Sequence, residues 1–267
     1  MRTTSNPVFR NLPTTKGGYA GFGTGPAQAA PQYGQAQQPQ PYTTTRSMTI
    51  DDVVTKTAMT LGLLVVSGVV SAMLCATNPG LIGPLAAAGA VIGLVLVLVA
   101  TFGRKMNAPI VLSYAVAEGV FIGAISFVFG HFYGTGIVLQ AVVATAGVFA
   151  GMLVVYRTGA IKVTPRLTKM IVGGIVGVLV LMIANLIGNV VFGADMGLRS
   201  GGPLAIGFSL LCIALAAFSF MLDFDQADKL IRAGAPEKAA WGVALGLTVT
   251  LVWLYVEILR LLSYFRN

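Results

Sequence analysis

Four carboxylates stand inside stretches of sequence that are otherwise oily. Glu118 sits in APIVLSYAVAEGVFIGAIS with Tyr114 four residues before it, Asp223 and Asp225 fall in FMLDFDQADKLI, and Glu257 is followed three residues on by Arg260 in LVWLYVEILRLLSYF. A charged side chain near the middle of a bilayer costs at least about 2.5–3.5 kcal/mol, so each needs a partner or a task. The task open to a carboxyl in such surroundings is to take up and release protons or hard cations. Glu118 and Tyr114 share one helical face. Glu118 is either a proton- or cation-binding group facing a polar cavity or a protonated acid bonded to a neighbouring helix. Glu257 and Arg260 have the spacing of a pair along one helix, and a purely local pair is the simpler reading. Asp223, Asp225 and Asp228 cluster where an apolar run ends. Carboxylates at a helix C-terminus oppose the dipole, so they call for a cation such as Arg104 or Lys105, or else form a solvated acidic turn.

Other polar residues say less. Asn185 and Asn189 lie one turn apart and either join helices or line a pathway. His131 is the only histidine and stands without nearby carboxylates, which gives no metal signal. Cys75 and Cys212 read as small packing residues. Asp195 and Arg199 suggest solvation in a loop. The chain contains no HExxH, no GxSxG and no glycine-rich phosphate loop, so an enzymatic role is not expected, nor is a cofactor.

The elements that must hold these groups are membrane helices. The 267 residues are 56% hydrophobic and 10% charged, with a mean hydropathy of +0.83. Crossing about 30 Å of hydrocarbon takes about 20 helical residues. Continuous apolar runs of that length predict seven spans, at 54–76, 81–102, 109–129, 136–156, 168–192, 203–222 and 239–265. Asn78-Pro79-Gly80 makes a tight turn between the first two. Glycine and alanine are dense in GPLAAAGAVIG, ATAGVFAG and IVGGIVG, which suits close helix packing in lipid. No internal repeat is evident.

The net charge of +8 does not imply nucleic acid, because Lys and Arg collect in alternate short loops. That asymmetry places the N-terminus in the cytoplasm and the C-terminus outside. Residues 1–48, rich in Gly, Pro, Gln and Thr, form a polar tail expected to be disordered and cytoplasmic, leaving 49–267 as the membrane domain. Thr49 followed by Asp51 and Asp52 has the character of a helix start.

With these residues in view, the chain resembles the Bax inhibitor-1 family, the YccA-like or transmembrane Bax inhibitor motif proteins, in a form typical of actinobacteria. The resemblance rests on APIVLSYAVAEGVFIGAIS, LDFDQADKLI and ALGLTVTLVWLYVEILRLL, and covers about residues 50–267. It implies an all-α bundle of seven helices with the last one surrounded by the others, and a pH-sensitive calcium leak channel. It further implies that Asp223 or Asp225 is one member of a proton-sharing acid pair, that Arg104, or Lys105, latches to it, and that Glu118 is the acidic position of the third span. The second aspartate of the pair falls at Thr250 here; alternatively Glu257 supplies that acid.

The functional expectation is thus a passive, pH-modulated cation leak of a bacterial plasma membrane. Glu118, Asp223, Asp225 and Glu257 act as sensing groups, Arg104 and Lys105 as the latch, and Tyr114, Asn185, Asn189 and Thr250 stand along the pathway, with calcium held at most transiently at Asp223 and Asp225. The partners are lipid and cations. The rival expectation is a membrane regulator of stress responses or protein quality control that transports nothing and works through protein partners.

Overall fold

The computed structural model describes residues 46–103, 106–193 and 197–266. Seven helices run through it: α1 (Ile50–Thr77), α2 (Ile82–Phe102), α3 (Ala108–Tyr133), α4 (Gly136–Thr158), α5 (Pro165–Phe192), α6 (Pro203–Arg232) and α7 (Ala239–Tyr264). All seven are long and apolar enough to cross a membrane, and the described residues contain no strand. The chain is an all-α, multi-pass membrane protein.

Local chemistry explains where the helices start and stop. α1 begins four residues before the predicted span because Thr49 and Asp52 form a reciprocal capping box. The Asn78 side chain accepts from the backbone N–H of Gly80 and holds the turn Pro79–Leu81 between α1 and α2. The largest departure is at α6, which runs ten residues past its predicted end at 222. Asp225 pairs with Lys229 at 2.6 Å and Asp228 with Arg232 at 2.9 Å, both i,i+4 with the acid first, the order that favours a helix. The acids therefore do not sit at a helix C-terminus. The last turn is basic, as the dipole prefers.

The centre of the bundle belongs to α7. Two thirds of its span, 67%, is buried, against 11% for α5 at the periphery. α1, α3, α4 and α6 pack around it. α1 and α3 approach on bare backbone: a Cβ placed on Gly123 would stand 2.1 Å from the Gly68 carbonyl oxygen, and one on Gly119 2.3 Å from that of Leu64. Contact this close is what glycine contributes in lipid, where no hydrophobic force drives helices together. Ser71 adds a hydrogen bond across the same seam, donating to the Val120 carbonyl at 2.8 Å. Ser126 and Tyr255 share another at 2.7 Å between α3 and α7.

Candidate functional site

Extending α6 puts Asp223 nine residues before its end, facing the central helix. The hydroxyl of Thr250, on α7, donates to Asp223 Oδ2 at 2.8 Å, and lies 3.1 Å from the Gly246 carbonyl one turn back. Thr250 is buried. A hydroxyl has one proton and two lone pairs, so it can donate to a carboxylate, or accept from a protonated acid while donating to Gly246. The pair thus tolerates both forms of Asp223 without moving. Of the two side chains only Asp223 carries an ionisable group.

Glu118 is half-buried on α3, at the α2–α3 contact. Its carboxyl lies over the backbone of Gly93, where a Cβ would stand 2.7 Å from Oε1. Tyr114 stands one turn earlier on α3, and is buried in a cluster with Ala100, Val111 and Leu245. Any side chain larger than hydrogen at position 93 would displace the acid.

The remaining acids have local partners. Glu257 is 2% exposed, bonded to Arg260 at 2.6 Å and approached by the Ser209 hydroxyl at 3.4 Å. Asp225 belongs to Lys229 and Asp228 to Arg232. Asp223 and Asp225 are thus engaged in different directions, one toward α7 and one along its own helix, and do not converge on one ion. Among the described residues no three acidic, histidine or cysteine side chains are grouped to hold a metal. Arg104 and Lys105, the expected latch, lie outside the described residues, as does Asp195. Asn185 is half-buried and Asn189 exposed on α5, which packs on α6 at the edge of the bundle, away from the Asp223–Thr250 contact.

A model of the Bax inhibitor 1 like family matches residues 6–267. The chain belongs to this family. The match begins well before residue 50 and takes in most of the tail that the resemblance had left aside. No curated protein matches the chain.

This member of the Bax inhibitor 1 like family carries a further polar cluster that sequence reading assigned only to membrane orientation. Arg46, Ser47 and Met48 lie against the turn between α6 and α7. Met48 N–H donates to the Ala235 carbonyl at 2.8 Å, Glu237 N–H donates to the Arg46 carbonyl at 2.9 Å, and Ser47 bridges Pro236 antiparallel. Met48, on the tail side of the predicted boundary at 49, is 2% exposed and packs into the core of the bundle. Lys56 reaches the same turn, donating to the Glu237 carbonyl at 2.9 Å and to its carboxylate at 3.0 Å, with its ammonium 5.7 Å from the Trp241 ring centre. Arg46 bonds Asp52, closing the cluster. The available signal was Lys56 itself, a cation inside the first apolar helix that cannot be explained by a loop.

Proposed function

We propose that this chain is a passive, pH-modulated cation conduit of a bacterial plasma membrane, calcium being the expected ion, and that it is not an enzyme. The observation that carries this reading is the Asp223–Thr250 contact, a carboxyl placed against the central helix with a partner that accepts either of its protonation states. In its ionised form Asp223 attracts a cation, and the family resemblance nominates Arg104 or Lys105 from the loop after α2. Taking a proton removes that charge and releases the loop. Thr250 keeps its hydrogen bond throughout, so one proton and one acid set the switch. The N-terminus faces the cytoplasm in this reading, by the excess of Lys and Arg at the end shared by the α2–α3, α4–α5 and α6–α7 loops.

Calcium flux into proteoliposomes between pH 6 and 8 tests it. The wild type should conduct more as pH falls, and Asp223→Asn should conduct at every pH without that dependence. Flux no greater than in protein-free vesicles at any pH rejects the proposal.

A second reading has its own support. Asp223, Asp225 and Glu257 each have a separate partner, as expected of acids that brace a scaffold. In that case the protein is a non-transporting membrane regulator, with the tail and the loops at the basic end as its working surfaces. Removing residues 1–44 then abolishes partner crosslinking, whereas a conduit keeps its flux.

A further inference from the structure

The wall of the bundle is open between α1 and α4. α1 leans on α3 and α7 while α4 leans on α6 and α7, leaving a groove with a cavity of about 770 Å³, floored by Phe224 and Leu247. Its lining is graded along the membrane normal. At the end where α4 and α6 finish stand Arg157, Arg232 and Asp228, with Tyr156 beside them; deeper come Leu153 and Phe149 on one wall and Leu61 on the other. From Arg157 to Phe149 is eight residues of helix, about 12 Å.

Two features mark the groove as a site. Arg157 is exposed, and among the described residues no acid bridges it; Asp228 is engaged by Arg232 and Asp225 by Lys229. Thr57, on the α1 wall, is 7% exposed, and its hydroxyl is the one buried side-chain polar atom without a hydrogen-bond partner among the described residues. Its neighbour Thr60 bonds back to the Lys56 carbonyl at 2.7 Å, so an unpaired threonine is not the habit of this helix. A buried hydroxyl left unpaired is costly, and a threonine in a helix has two accessible rotamers, one of which can turn the hydroxyl to the groove.

We propose that the groove seats one anionic phospholipid, its phosphate on Arg157, its ester oxygens accepting from Thr57 and an acyl chain running down past Leu153 to Phe149. The order of groups fits: net positive charge at the mouth, a single donor below it, and hydrocarbon at depth. Polar and apolar parts of a glycerophospholipid follow the same sequence. A leaflet rich in anionic lipid borders the basic side of a membrane protein, so the ligand is present where the mouth opens.

The full chain, delipidated in detergent, is titrated with dioleoyl phosphatidylglycerol, with dioleoyl phosphatidylcholine, or with glycerol phosphate, and bound molecules are counted by native mass spectrometry. The wild type should retain one phosphatidylglycerol at a concentration about tenfold below that needed for phosphatidylcholine, whose phosphate is the same but whose choline brings a second cation to a mouth that is already net positive. Arg157→Gln should erase the preference. Thr57→Val should weaken phosphatidylglycerol about fivefold and raise the melting temperature of the lipid-free protein, because it removes the unpaired hydroxyl. Leu153→Trp should block both lipids by filling the groove; if that variant does not fold, Arg157→Gln and Thr57→Val decide. The proposal is overturned by equal retention of the two lipids, by phosphatidylglycerol binding that neither Arg157→Gln nor Thr57→Val changes, by glycerol phosphate competing as well as the whole lipid, or by a second copy of the chain occupying the groove as a dimer that lipid does not dissociate.

Discussion

Thr250 opposite Asp223 makes this a site with one ionisable side chain where the family resemblance implies two. Under the conduit reading, flux in the wild type should follow a single-proton titration. Thr250→Asp installs a second acid within hydrogen-bond reach, and coupled carboxyls titrate as a pair; the pH response of calcium flux should steepen, with a Hill slope above one. Glu257 makes a different kind of prediction. Removing one partner of a buried ion pair leaves a bare charge, at a cost of about 3–5 kcal/mol, and the 18% exposure of the Arg260 side chain argues for the lower figure. Arg260→Gln should therefore lower thermal stability in detergent by about 3 kcal/mol, and adding Glu257→Gln should recover most of it. Some of this was legible from spacing. Tyr114 with Glu118 and Glu257 with Arg260 are neighbours on one helix and can be read from i,i+4 and i,i+3 alone. Thr250 and Asp223 lie 27 residues apart on different helices, so only the resemblance drew attention to Thr250. The Lys56–Glu237 bond spans 181 residues and ends partly on a backbone carbonyl, for which no side-chain pattern exists.

At the level of helices, apolar length is a sufficient guide to number and order but not to extent. α6 continues past the end of its unbroken apolar run because Asp225 and Asp228 find bases one turn on, and hydropathy does not see a salt bridge. The α1–α3 seam shows the reverse: glycine density announces close packing without saying which glycines do it. The structure distinguishes them. A methyl group on Gly123 would meet the Gly68 carbonyl oxygen at 2.1 Å, whereas one on Gly147 in α4 meets nothing within 4 Å. Gly123→Ala should cost about 1–3 kcal/mol by overpacking. Gly147→Ala should be neutral or stabilise by up to about 1 kcal/mol. Thermal denaturation of the two variants side by side makes the comparison.

Across the whole molecule, the segment before α1 is tied to the turn before α7, so the first and last helices are joined at the basic end. Lys56→Met removes two bonds from that tie. Glu237 is 44% exposed, and solvent screening limits the loss to about 1 kcal/mol. The change should show as faster proteolysis at 233–238, with the melting temperature falling only slightly. Placing α7 at the middle also has a bearing on biogenesis. The ribosome delivers the centrepiece after its surroundings, so α1, α3, α4 and α6 are made before the helix they pack around, and the Asp223–Thr250 contact cannot form until α7 arrives. Any nascent chain cut short of residue 239 lacks Thr250 and leaves the Asp223 carboxyl without the hydroxyl that answers it in the finished bundle.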